Sequence, residues 1–217
     1  AGDMQHGWAV NFFADLAFKK KLDPWVALKL IAWLESYVTG SLLGGEALDV
    51  QLGITDITNG LNFSEDDIIK MLWLKTGVLY EFAGMAGAMI AKSTTDLDDP
   101  EVKAVKEFTG YCGIAFQLQD DLLGVLGDEK TLGKPVGSDL REGKKTTILY
   151  EALRNADEDQ KRIILHVLGN KNAGADEINK VIALFKELNG IDHTRQLAAS
   201  YIEKALPCLD PTPASKY

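Results

Sequence analysis

From Trp25 to about Leu52 apolar residues recur at spacings of three and four, at Leu28, Ile31, Leu34, Val38 and Leu42. Nowhere in the chain does the every-second-residue alternation of a half-buried strand take over. A chain patterned in this way has only helices with which to bury its apolar surface, so an all-α bundle of long helices is expected. At 217 residues and 46% hydrophobic content it is long enough for one sizeable core.

The ends of these helices are marked chemically. Lys19-Lys20-Lys21 closes a first helix, Gly2 to Lys20, and Asp23-Pro24 opens the second, with Asp as N-cap and Pro at the first helical position. That first helix carries Trp8, Val10, Phe12, Phe13, Leu16 and Phe18 on most of its sides, which suits a place deep in a bundle or at a subunit interface. Gly40, Gly44 and Gly45 inside the second helix predict close helix packing or a kink. Ser64-Glu65-Asp66-Asp67 forms a capping box after a loop over 55–63, and Asp99-Pro100 opens a further helix. The acidic run Asp96-Leu97-Asp98-Asp99 therefore reads as a capped turn and not as a metal site. Shorter helices are expected over 147–155, 157–168, 175–188 and 192–206, divided by Gly169, Gly174 and Gly190, with a loose tail from Pro207.

Charge and composition exclude several functions. A net charge of −9 disfavours nucleic acid, whose binding needs basic patches that displace counterions. The apolar run Gly77 to Ala91 is interrupted by Glu81 and falls short of the roughly 18–20 residues that span a bilayer, so no membrane span is expected. Cys112 and Cys208 make neither a metal pattern nor a disulfide framework, which fits a reducing cytoplasm, and Cys112 reads as a small core residue. His6 has no second histidine at ligand spacing.

The chemistry concentrates at Phe116-Gln117-Leu118-Gln119-Asp120-Asp121-Leu122-Leu123-Gly124 and in the loop after it, with Gly133-Lys134-Pro135, Ser138-Asp139-Leu140 and Gly143-Lys144-Lys145-Thr146. On a helix Gln117 lies one turn before Asp120 and Asp121, so the amide and both carboxylates share a stripe while Phe116 and Leu123 face apolar surroundings. Carboxylate oxygens are the ligands Mg²⁺ prefers, and it usually takes one or two of them, leaving positions for water and phosphate. The loop over 127–146 is a candidate lid whose Lys134 and Lys144 close over phosphates, or else a solvated charged loop. Lys75, set between Leu74 and an apolar run, must snorkel outward or meet an anion, and Glu46 and Asp49 share a helix face.

These blocks resemble the trans-isoprenyl diphosphate synthases, particularly the archaeal short-chain members. FQLQDDLLG, GDEKTLGKP and SDLREGKKT match the second aspartate-rich region and following loop of that family. Lys75-Thr76 resembles its diphosphate-binding KT helix, and Gly45-Glu46-Ala47-Leu48-Asp49 resembles its GQxLD helix, with Glu46 in place of Gln. Gly124 replaces the third Asp of the second motif, and the first aspartate-rich motif is absent. The resemblance implies an isoprenoid synthase domain over 1–209, incomplete at its N-terminus, a tail over 210–217, and a homodimer. It implies Mg²⁺ on Asp120 and Asp121, a diphosphate held by Lys75, Lys134 and Lys144, and an allylic end oriented by Gln117 and Thr76. Asp120, Asp121, Lys75 and Gln117 are then the catalytic set. The reaction implied is head-to-tail condensation of isopentenyl diphosphate with an allylic diphosphate to a C15–C20 product. A non-catalytic partner subunit of a heteromeric synthase, or a class I terpene cyclase on the same fold, are the alternatives.

Overall fold

The computed structural model describes residues 2–58, 60–127 and 136–213, and among them there are helices and no strands. Helix α1 (Gly2–Phe18) leads to α2 (Pro24–Trp33), which passes through a π-helical turn (Leu34–Val38) into α3 (Thr39–Ile54). Helix α4 (Glu65–Leu72) passes through a second π-helical turn (Trp73–Gly77) into α5 (Val78–Lys92). Then come α6 (Pro100–Leu126), the short α7 (Ser138–Glu142), α8 (Thr147–Asn155), α9 (Glu158–Val167), α10 (Ala175–Glu187), α11 (Gly190–Ala205) and a closing 3₁₀ turn (Leu206–Leu209).

The local signals act as their chemistry demands. Asp23 accepts from the amides of Trp25 (2.8 Å) and Val26 (3.2 Å), and Asp99 does the same for Glu101 (2.9 Å) and Val102 (3.2 Å). Ser64 and Asp67 satisfy each other's backbone amides, 3.2 Å and 2.8 Å. In the loop expected over 127–146, the structure inserts α7, because Gly137 and Gly143 adopt the left-handed conformation that bounds a single tight helical turn pair.

Three apolar clusters hold the bundle. Val26, Leu30, Leu34 and Val38 pack on Val78, Phe82, Met85 and Met89 at one end. Leu122, Val125 and Leu140 pack on Ile148, Ile164, Val181 and Phe185 of α8–α10 at the other. Leu52, Ile68, Met71, Leu72, Ile114 and Leu118 join them in the middle. Helix α6 contributes to all three clusters and runs through the molecule as its axis.

Several expectations need correction. Of the two places expected for α1, the enclosed one is excluded: Val10, Phe13 and Leu16 pack inward, while Met4, Trp8, Phe12 and Phe18 are exposed. Phe116 and Leu123 are exposed as well: they stand four residues before and three residues after Asp120, on the same open face of α6. Cys112 is half-buried, and burial pushes its thiol up. Of the three glycines in the second helix only Gly45 meets a neighbour. One helical stretch, Pro24–Ile54, is long and apolar enough to cross a membrane by length and composition alone. Its Val26, Leu30, Leu34 and Val38 are buried within the bundle.

Candidate active site

The site forms where α3, the second π-helical turn, the C-terminal part of α6 and the loop after α7 meet. Gly45 makes this meeting possible: a Cβ there would lie 2.4 Å from the Lys75 backbone nitrogen and 2.7 Å from the Lys75 Cα. With no side chain in the way, the backbone of α3 rests on the π turn, and Glu46 and Asp49 stand beside Lys75. The Lys75 ammonium donates to Asp49 at 2.6 Å and lies 3.4 Å from Glu46. Burial pulls its pKa down, but the hydrogen bond and charge of Asp49, with Glu46 behind, carry it above the ordinary lysine value.

One residue further on, the Thr76 hydroxyl donates to Gln117 Oε1 at 3.1 Å. The Gln117 amide nitrogen faces Asp120 Oδ2 at 3.3 Å and Asp121 Oδ1 at 3.4 Å. The stripe expected from helix geometry is thus present, but its two carboxylates differ. Asp120 is exposed and Asp121 is buried. Burial first, then the negative charge of Asp139, pushes the Asp121 carboxyl up to about 7, against the opposing pull of Gln117 and Lys144.

Asp139 is the residue whose place sequence reasoning left open. It is buried at the start of α7, and its Oδ2 lies 2.7 Å from where a Cβ of residue 124 would stand. Its carboxylate thus occupies the space that a side chain at Gly124 would need. The signal in the sequence was the glycine itself, fifteen positions before Asp139, but nothing local says which distant group fills the gap. Gly124→Ala is expected to lower stability by about 1–3 kcal/mol through overpacking. Gly124→Asp should lower it more at neutral pH, because it adds a charge beside Asp121 and Asp139. Urea unfolding measures both, and a midpoint equal to that of the parent chain for Gly124→Asp would show that the close approach does not exist.

The Lys144 ammonium donates to Asp139 Oδ1 at 2.7 Å and lies 3.7 Å from Glu142. Burial lowers its pKa, and Asp139 more than restores it. Lys145 is buried without a carboxylate among the described residues; it donates to the carbonyls of Gly53 (3.2 Å) and Gly143 (3.1 Å). It therefore ties the last turn of α3, whose carbonyls lack helical partners, to the loop that carries Lys144. Lys134 lies outside the described residues.

Asp49, Lys75, Gln117, Asp121, Lys144, Lys145 and Thr146 line one cavity of about 40 Å³, room for little more than a water molecule. A larger cleft of about 450 Å³ lies elsewhere, beside α8 and α9, but its cations Arg154, Lys161 and Arg162 are each paired with an acidic neighbour on the same helix. Among the described residues no three acidic, histidine or cysteine side chains converge closely enough to hold a metal ion by themselves. Two adjacent carboxylates near the Lys75 and Lys144 ammonium groups do fit Mg²⁺, which takes one or two protein ligands and fills the rest of its shell with water or other oxygen ligands. A buried carboxylate whose anion is as unfavourable as that of Asp121 is one that a bound cation would stabilise.

The family model described as polyprenyl synthetase matches residues 1–185. A short chain isoprenyl diphosphate synthase from Methanocaldococcus jannaschii is 46% identical over 121 residues, 56% of this chain and 36% of that protein. A geranylgeranyl diphosphate synthase from Saccharolobus solfataricus is 35% identical over 79% of this chain and 48% of its own length. Among solved structures, geranylgeranyl pyrophosphate synthase from Corynebacterium glutamicum, complexed with isoprenyl diphosphate and magnesium, superposes with a TM-score of 0.78 at 25% identity, covering 99% of this chain and 57% of that one. The chain spans about half the length of the relatives it matches. With its all-α isoprenoid synthase fold and a family match over most of its length, this chain belongs to the polyprenyl synthetase family.

Proposed function

We propose that the protein carries out Mg²⁺-dependent head-to-tail prenyl transfer, condensing isopentenyl diphosphate with an allylic diphosphate to a C15–C20 isoprenyl diphosphate. The observation that carries this reading is the convergence of Lys75, Gln117, Asp121 and Lys144 on one cavity, from separate segments of the chain, with Thr76 hydrogen-bonded to Gln117. In the reaction the allylic C–O bond breaks, diphosphate departs with the electron pair, the double bond of isopentenyl diphosphate forms the new C–C bond, and a proton is lost.

Lys75 and Lys144 hold the departing diphosphate, where fixed cations are worth most because charge develops there. Thr76 and Gln117 form the bridge between that grip and the carboxylates, and orient the allylic end. Asp120 and Asp121 would hold Mg²⁺, which when bound supplies the charge that neutralises the diphosphate. The magnesium and isoprenyl diphosphate in the Corynebacterium glutamicum structure support this assignment. The product range is supported by the geranylgeranyl diphosphate synthase of Saccharolobus solfataricus. A homodimer is part of the proposal, supported by the exposed stripe Met4, Trp8 and Phe12 at successive turns of α1. So is a cytoplasmic location, in keeping with two unpaired cysteines.

The test is an assay of the protein with labelled isopentenyl diphosphate, an allylic diphosphate and Mg²⁺, with the intact mass measured on the same sample. Labelled prenyl product is expected, with kcat/KM falling on the order of a hundredfold in Lys75→Ala. Absence of product in excess Mg²⁺, together with a copurifying synthase subunit, would replace this reading with that of a non-catalytic partner.

A further inference from the structure

The two described lysines that face the carboxylates are held in the same way. Lys75 pairs with Asp49 at 2.6 Å and has Glu46 at 3.4 Å; Lys144 pairs with Asp139 at 2.7 Å and has Glu142 at 3.7 Å. In each case the near partner is sheltered and the far partner is open to water. The Asp49 and Asp139 side chains are 26% and 10% exposed, those of Glu46 and Glu142 60% and 61%.

The aspartates fix where each ammonium sits. The glutamates add little to that placement, because an exposed ion pair beyond 3 Å is weak and screened. Their negative charge nevertheless stands 3.4 Å and 3.7 Å from the ammonium groups that an anion has to reach, on side chains open to water. The cavity between the lysines and Asp121, about 40 Å³ and open on one side, is too small to enclose a diphosphate, so an anion of that size meets the ammonium groups at the open side as the lysines turn toward it. Their turning leaves Glu46 and Glu142 facing the new anion.

We infer that Glu46 and Glu142 are built-in competitors for Lys75 and Lys144, and that they keep the hold of this site on diphosphate weak. The inference rests on the reading of these lysines as a diphosphate grip. Within it, the glutamates are tuning residues: they touch the lysines and set how tightly a diphosphate is retained, and so how readily it leaves.

The probe is inorganic diphosphate, titrated calorimetrically into the full chain at fixed Mg²⁺, with Glu46→Gln, Glu142→Gln, Lys75→Ala and the double variant Lys75→Ala/Glu46→Gln. Each glutamine variant is expected to bind diphosphate about two- to fivefold more tightly, the range that an exposed charge pair carries. The gain from Glu46→Gln should vanish in the Lys75→Ala background, since the two act as one pair. That coupling separates competition for the ammonium from a general change in surface charge, and circular dichroism of each variant separates it from misfolding.

Glutamine variants that bind diphosphate no better, or less well because the glutamates hold Mg²⁺, overturn the inference. So does a gain from Glu46→Gln that persists without Lys75. If Lys75→Ala weakens binding while both glutamine variants are inert, the diphosphate grip stands and only the competitor role falls. If no form of the chain binds diphosphate, both fall together.

Discussion

Asp121→Asn is expected to make the metal-free protein more stable at pH 8, by ~3 kcal/mol, while removing Mg²⁺-supported diphosphate binding. The two effects have one cause. The Asp121 carboxyl, buried and close to Asp139, is pushed up to about 7 from an ordinary value of 3.8. A carboxyl raised in the folded state binds its proton more tightly there than in the unfolded chain. Its contribution to stability is thus complete below about pH 4 and is lost as pH rises through about 7. The parent protein without metal should therefore lose stability between those values, and Mg²⁺ should restore more of it at pH 8 than at pH 5. Asn imitates the protonated carboxyl and should flatten this dependence. Thermal or urea unfolding across pH, with and without Mg²⁺, measures it. A variant less stable than the parent at pH 8, or a parent whose metal-free stability rises from pH 4 to 7, would show that Asp121 sits comfortably as an anion.

Gly45→Ala should destabilise the protein by about 3 kcal/mol, near the upper end for overpacking. In a chain of this size that shifts Tm by about 6–12 °C. The new methyl group would stand within 2.7 Å of three backbone atoms of residues 74 and 75, and backbone has no rotamer with which to yield. The neighbouring Gly44 has nothing within 4 Å, so Gly44→Ala should instead gain about 0.5–1 kcal/mol from the lower entropy of the unfolded chain. Opposite signs at adjacent positions of one helix are the measurement to make. Equal shifts would mean that α3 does not rest on the π turn. In Gly45→Ala the separation also moves Lys75 away from Asp49, so diphosphate binding should weaken together with stability.

Legible in the sequence was whatever depends on near neighbours. The caps at Asp23, Ser64 and Asp99 need only the next three residues, and the Gln117, Asp120, Asp121 stripe needs only the pitch of one helix. Lys75 was bound to find either water or an anion. That it found Asp49, twenty-six residues earlier, depends on how two helices cross, which spacing alone does not encode. Gly44 and Gly45 are indistinguishable as letters, and only the packing of α3 on residues 74 and 75 separates them. The same holds for Asp139, whose place depends on a glycine on another helix. For α1 composition leaves a buried place and an interface equally open, because it says that a face is apolar, not what stands against it; the exposed flank removes the first.

The two π-helical turns were invisible for a different reason: one extra residue in a turn leaves the apolar spacings of three and four intact. The Val78 amide reaches back to the Trp73 carbonyl across five residues, and Lys75 and Thr76 lie inside that widened turn. In such a segment chain length, more than residue identity, aims the side chains. Deleting a single residue between Trp73 and Gly77 would let the helix relax to its usual pitch and swing the downstream residues by about 100° around the axis. Libraries that exchange one amino acid for another leave that degree of freedom untouched. One-codon deletions and insertions reach it, and the direction in which Lys75 and Thr76 point becomes something an engineer can set by counting residues.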